Sequence, residues 1–157
     1  MSKPTIYIET SVVSYLVARP SRDIIVAAHQ QLTFDWWHNQ SQQYDLFISQ
    51  LVFDEAKAGD KQEAAKRLTA IQDLPLLELN EEGIRLAEKL IQSHAVPKKA
   101  AQDALHIAIA CINGMDYLLT WNCKHIANAK MRSRIDQVCR ESGYVPPTIC
   151  TPEELED

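Results

Sequence analysis

Four polar side chains in this chain sit where the surrounding pattern is apolar: Glu9, Glu55, Asp103 and Asn122. Glu9 directly follows the run Thr5-Ile6-Tyr7-Ile8, and Asn122 closely follows Tyr117-Leu118-Leu119-Thr120. Glu55 comes four residues after Leu51 and three after Val52, which sets it on the apolar stripe of a helix, whereas Asp54 points elsewhere. Asp103 heads the row Asp103, Ile107, Ala110, Gly114 along the packing side of the most strongly periodic helix in the sequence. A buried carboxylate without a partner is costly or is driven neutral, so a group of them needs cations or hydrogen-bond donors nearby. Three carboxylates and an amide, with no sulfur and no convincing histidine pair, are hard oxygen donors that suit Mg²⁺ or Mn²⁺ rather than zinc.

Each residue also has a plainer use. Glu9 can cap the helix that follows it, where Thr10 and Ser11 compete for the role, and Glu55 can pair with Lys57 or Lys61 at a helix surface. Asp103 can favour a helix N-terminus electrostatically, and Asn122 can be a turn residue before Cys123. The four together are harder to explain in this way.

The elements that must position them alternate between short β-type runs and longer helical patterns. Thr5–Ile8 is apolar on both faces, as a central strand covered by helices should be. Ser21 is expected to cap a helix with the stripe Ile25, Ala28, Leu32 and Trp36, and Leu46-Phe47-Ile48 reads as a second strand. Ser49 caps a short helix that Gly59 can close, a further helix runs to about Ile71, and Leu74 to Leu79 makes a weaker strand. Glu81 to Ser93 is amphipathic helix. Pro97 suits the first turn of the next, whose Ala104, Ile107, Ala108 and Cys111 share one side before Gly114 ends it. Tyr117 to Thr120 is a buried strand, Ala127 to Arg140 a last helix and Thr148-Ile149-Cys150 an edge strand. This alternation predicts an α/β fold, a three-layer α/β/α sandwich around a parallel sheet, and in such sheets ligands bind beyond the carboxyl ends of the strands.

With 157 residues, 46% of them hydrophobic, the chain has the size of one compact domain, expected to span residues 1–157. No run approaches the roughly 20 apolar residues of a membrane span. The N-terminus lacks the basic, apolar, small-residue order of a signal peptide, so a cytoplasmic location is expected. Cys111, Cys123, Cys139 and Cys150 lie far apart without a C-x-x-C pair, which predicts free thiols rather than a zinc or redox site.

These residues resemble the motifs of the PIN-domain family. Ile6-Tyr7-Ile8-Glu9-Thr10-Ser11-Val12-Val13 is similar to its opening strand, Asp103-Ala104-Leu105-His106-Ile107-Ala108 to its central helix motif, and Tyr117-Leu118-Leu119-Thr120-Trp121-Asn122 to its late strand. Leu51-Val52-Phe53-Asp54-Glu55 supplies the remaining acid in the expected place. The resemblance spans residues 4 to about 150, in the family's order and spacing. It implies a sheet of four to five parallel strands with helices on both faces, and Mg²⁺- or Mn²⁺-dependent cleavage of RNA phosphodiesters. Many small members of the family are VapC-like toxins of toxin–antitoxin pairs, so the implied partners are an RNA substrate, a cognate antitoxin protein and a second copy in a homodimer.

Two positions depart from the usual family pattern. The first acid is commonly Asp and here is Glu9, one methylene longer; the late acid is commonly Asp and here is the neutral Asn122. Related PIN proteins carry the Glu-Thr-Ser and Trp-Asn forms together. The lost charge predicts weaker binding of a second cation.

The chemistry so implied is in-line attack of a cation-activated water on phosphorus. Glu9 and Asp103 are expected to hold the main metal, with Glu55 touching it directly or through water and accepting the proton. Asn122 would orient a water or the phosphate, and Ser11 or Thr10 would bind a phosphate oxygen or fix Glu9. A net charge of −5 repels a polyanion, so RNA binding needs local basic residues or bound cations. Lys124, Lys130, Arg132 and Arg134 are the expected track for the RNA backbone, with an ordinary solvated helix face as the plainer reading. His106, one helical turn from Asp103, reads as a packed, hydrogen-bonded histidine, and neither it nor His125 reads as a catalyst. Trp36 and Trp37 read as core, or, if part-exposed, as a dimer or antitoxin surface.

Overall fold

The computed structural model describes residues 2–156. Its five strands are β1 (Thr5–Ile8), β2 (Asp45–Ser49), β3 (Leu76–Leu77), β4 (Tyr117–Leu119) and β5 (Thr148–Cys150). They pair in parallel in the order β3-β2-β1-β4-β5, with Tyr7 in register with Phe47 on one side and Leu118 on the other. The central strand is the one whose residues are apolar on both faces: Ile6, Tyr7 and Ile8 are all buried.

Seven α-helices connect these strands among the described residues: α1 (Thr10–Val17), α2 (Ile24–Asn39), α3 (Gln50–Ala56), α4 (Lys61–Ile71), α5 (Glu81–Gln92), α6 (Ala101–Ile112) and α7 (Ala129–Glu141). Parallel crossovers are right-handed almost without exception. Moving from β1 to β2 to β3 and then back across to β4 and β5 therefore sends α1–α4 to one face and α5–α7 to the other. The packing agrees, since α1 touches α2, α3 and α4, while α5 touches α6 and α7. The expected α/β sandwich is the observed fold, with five strands.

Local expectations differ in informative places. Asp23, not Ser21, caps α2, accepting from Val26 N–H at 3.0 Å. Of the expected stripe on that helix, Trp36 is fully buried and Leu32 packs on the core, but Ile25 and Ala28 are exposed. Trp36 is thus core and offers no partner surface; the large exposed apolar residues of α2 are Ile24, Ile25 and Phe34. Only Leu76 and Leu77 of the third predicted strand pair with the sheet. Helix α7 starts at Ala129, after a turn that occupies Asn122 to Asn128. The thiols are free, three buried and Cys123 exposed. No helix among the described residues is long and apolar enough to cross a membrane.

Candidate functional site

The two sides of the sheet diverge between β1 and β4. The chain leaves β1 toward β2 and leaves β4 toward β5, so the carboxyl ends of these neighbouring strands open into a crevice, the topological switch point where open α/β sheets bind ligands. Glu9 stands at its floor. Its N–H continues the ladder to Leu119 O at 3.0 Å, and the residue is the N-cap of α1, 6% exposed. Its Oε1 accepts from the Ser11 and Thr120 hydroxyls, both at 2.5 Å, and its Oε2 from Ser11 N–H at 3.1 Å. The capping use is therefore real, but it occupies one oxygen of a carboxylate that also takes two hydroxyl donors, from Ser11 of α1 and from Thr120 just after β4.

Glu55 arrives from the far side, on α3. The helix begins where Ser49 Oγ accepts from Val52 N–H at 3.3 Å, and its period then turns Glu55 inward while Asp54 faces outward toward Lys57 at 3.8 Å. Glu55 Oε1 accepts from the Thr10 hydroxyl and lies 2.8 Å from His106 Nε2. Behind the imidazole, Tyr7 Oη lies 2.7 Å from His106 Nδ1 and 2.7 Å from Ser49 Oγ. Burial pushes the Tyr7 phenol far above its ordinary value, which keeps it protonated.

Burial alone would raise the Glu55 carboxyl, but the hydrogen bond from His106, helped by that from the Thr10 hydroxyl, holds it below its ordinary value of 4.5. A carboxyl depressed on folding contributes stability that is present above its unfolded-state value and lost as pH falls through the folded-state value. Glu55→Gln should accordingly flatten the acid limb of thermal stability measured from about pH 6 down to about pH 3. An unchanged slope would mean that Glu55 gains nothing from its partners.

Glu9, Glu55 and His106 each present a ligand atom within 4.8 Å of the others. Ligands of one small divalent ion at about 2.1 Å lie about 3 Å apart when adjacent and about 4.2 Å apart when opposite, so the Glu9 and Glu55 carboxylates fit one ion with little movement, while both ring nitrogens of His106 are engaged by Glu55 and Tyr7. A cleft of about 630 Å³ opens over it, lined by Glu9, Thr10, Ser11, Asp54, Glu55 and Gln102 among others.

The remaining sequence candidates fall around this centre at different removes. Asp103 is part-buried in the first turn of α6, next to the cleft-lining Gln102, and its side chain makes no hydrogen bond or ion pair among the described residues; it is not one of the three clustered groups. Asn122 Oδ1 accepts from His125 N–H at 3.1 Å, and its carbonyl accepts from Ile126 and Ala127, so the residue organises the turn after β4. Ser11 is bonded to Glu9 and Thr10 to Glu55. Lys124 and Lys130 are exposed, with side chains unpaired among the described residues. Arg132 donates to Ile149 O at 3.1 Å and faces Glu154 at 3.7 Å, and Arg134 donates to Ser93 O at 2.7 Å.

Sequence reading passed over Tyr7, His106 and Thr120 as members of this site. One signal was available: His106 follows Asp103 by three residues and so shares its helix face. Nothing in the spacing signalled that Tyr7 and Thr120 lie beside these acids.

No family model and no curated protein matches the sequence. Among solved structures the chain is similar to one chain in the crystal structure of VapBC2 from Rickettsia felis bound to a DNA fragment from their promoter. The TM-score is 0.60 at 13% identity, over 94% of this chain and 98% of that one. That likeness concerns the backbone, and with the five-stranded parallel sheet between two helical layers it gives this chain a PIN-like fold.

Proposed function

We propose that this chain is a divalent-metal-dependent endoribonuclease that hydrolyses RNA phosphodiester bonds, the toxin of a type II toxin–antitoxin pair. The observation that carries the reading is the meeting of Glu9 and Glu55 at the switch-point crevice of a PIN-like fold, with ligand atoms within 4.8 Å. Carboxylates brought this close favour a cation between them.

Glu9 and Glu55 hold Mg²⁺ or Mn²⁺ together with Asp103, which reaches from the first turn of α6 directly or through water. When bound, the ion supplies positive charge against the phosphate and acidifies a water. Ser11 and Thr120 orient Glu9. Thr10 and His106 both engage Oε1 of Glu55, which leaves Oε2 to accept the proton from water. Asn122 has its amide N–H₂ left for a phosphate oxygen or water, because its Oδ1 is held by His125. Lys124 and Lys130 meet the RNA backbone, with Arg132 and Arg134 adding positive field from their tethered positions. The exposed Ile24, Ile25 and Phe34 on α2 are an apolar face for a protein partner such as the antitoxin, and a homodimer uses a second surface of the chain.

The test is Mn²⁺-dependent cleavage of structured RNA by purified protein, beside the same reaction with EDTA and with Asp103→Ala. Cleavage should need the metal and fall about a hundredfold in the variant, the loss expected for one ligand at the margin of the centre. Equal activity in the two proteins would remove Asp103 from the site.

Asn122 favours a second reading, a catalytically weak scaffold that binds RNA or a protein, because the late acid is neutral and its oxygen is spent on a turn. The two separate on metal titration: a scaffold shows no Mg²⁺- or Mn²⁺-linked rise in melting temperature.

A further inference from the structure

We propose that Tyr7 and His106 are positioning residues that preset the Glu55 carboxylate for the ion, through a buried hydrogen-bond chain starting at Ser49. The inference rests on the reading of Glu55 as a residue of the metal centre. Four links run through the core: Val52 N–H to Ser49 Oγ at 3.3 Å, Ser49 Oγ with Tyr7 Oη at 2.7 Å, Tyr7 Oη with His106 Nδ1 at 2.7 Å, and His106 Nε2 with Glu55 Oε1 at 2.8 Å. They join α3, β2, β1 and α6 and return to α3.

The last link sets the direction of the others. An ionised carboxylate has no hydrogen to give, so Nε2 carries the proton and donates it to Glu55. The bare Nδ1 then accepts from the Tyr7 hydroxyl, Tyr7 accepts from Ser49, and the Ser49 oxygen takes the Val52 N–H. In this arrangement every hydrogen has one acceptor and none is stranded. Tyr7, Ser49 and His106 are 0%, 1% and 1% exposed, so water has no access to replace a missing link.

The consequence lies at the end of the chain. A glutamate on a helix surface samples several rotamers, which ion binding must freeze. Glu55 instead has Oε1 pinned by His106 and Thr10 before any ion arrives, while Oε2 takes no hydrogen bond among the described residues. Hydrogen-bond partners of this kind, behind a ligating carboxylate, commonly change metal affinity about ten- to a hundredfold when removed.

The test is Mn²⁺ affinity, read from the free-ion electron paramagnetic resonance signal, in the unaltered protein, Tyr7→Phe, His106→Leu, His106→Gln and the Tyr7→Phe/His106→Leu double variant. Tyr7→Phe removes one oxygen that never touches Glu55, yet it should weaken Mn²⁺ binding about tenfold or more. His106→Leu should weaken it further, and His106→Gln, which keeps a donor near Nε2, should recover part. Adding Tyr7→Phe to His106→Leu should cost no more affinity, because the link through which Tyr7 acts is already gone. Unchanged affinity in folded Tyr7→Phe overturns the proposal, as does a fully additive loss in the double variant, whatever the melting temperatures do. If the unaltered protein itself binds no Mn²⁺, the metal-nuclease reading falls with it; if it binds Mn²⁺ and cleaves RNA while Tyr7→Phe binds equally well, only this inference falls. A long-range ¹H–¹⁵N spectrum of the unaltered protein, with and without Mg²⁺, needs no variant to fold. His106 Nε2 should keep its proton throughout, and a bare Nε2 in either state overturns the proposal.

Discussion

Glu9→Gln is expected to lower Mn²⁺-dependent RNA cleavage about a thousandfold, equivalent to about 4 kcal/mol of transition-state stabilisation. It is also expected to erase the metal-linked rise in melting temperature. For the unaltered protein at a hundred times the dissociation constant, that rise should reach about 2.7 kcal/mol, or about 5–10 °C for a chain of this size. The substitution keeps the shape of the side chain and removes its charge, and the Ser11 and Thr120 hydroxyls can still bond the amide oxygen. The metal-free variant should melt within a few degrees of the unaltered protein, since relief from one of two crowded negative charges offsets the loss of the cap bond from Ser11 N–H to Oε2. Calorimetric melting with and without Mn²⁺ checks this. A variant that melts lower without metal yet keeps the full Mn²⁺ response would reduce Glu9 to a helix cap.

Leu118→Ala should cost about 3 kcal/mol, from the lost transfer energy and the cavity left behind, and lower the melting temperature by about 10 °C. Leu118 is fully buried and lies in register between Tyr7 of β1 and Ile149 of β5, with little freedom for its neighbours to close the gap. Leu76→Ala is the matched comparison. Leu76 is 51% exposed on the edge strand β3, and its loss should stay within about 0.5 kcal/mol. Equal effects in thermal or urea unfolding would contradict β4 as an inner strand. Because Thr120 follows directly on β4, a loosened Leu118 layer should also lower Mn²⁺ affinity.

The elements that read most clearly in the sequence are those in which a single period decides the outcome. Helix α6 buries Ala104, Ile107, Ala108 and Cys111 as its spacing requires, and the apolar run of β1 takes the centre of the sheet. Helix α1 showed in the sequence only through its cap candidates Glu9, Thr10 and Ser11, because Thr10-Ser11-Val12-Val13 follows the strand without a break and is rich in β-branched residues, which favour strands; the packing of Val12 and Val13 into the core overrides that preference. On α2 the exposed face was misjudged for a related reason. The stripe Ile25, Ala28, Leu32, Trp36 has helical spacing, but which side of a helix is covered depends on the neighbour that meets it: Leu32 and Trp36 are covered as expected, Trp121 bonds Thr33, and Ile25 and Ala28 stay exposed.

The same division holds for the site. The sequence by itself determined that Glu9 follows an inner strand, that Glu55 lies on an inward-turned helix face and that Asp103 shares a helix row with Ile107 and Ala110, because strand alternation and helical period fix direction within one element. Only the tertiary structure decided which of these groups meet. Glu9 joins Thr120 across 111 residues and Tyr7 joins His106 across 99, and these contacts exist because β4 pairs with β1 on the side opposite β2. That choice is made by crossover handedness and by burial summed over the whole core, neither of which has a local period to read. It set His106 rather than Asp103 within 4.8 Å of both glutamates, and so moved the centre of the site from three acids toward two acids and the imidazole that orients one of them.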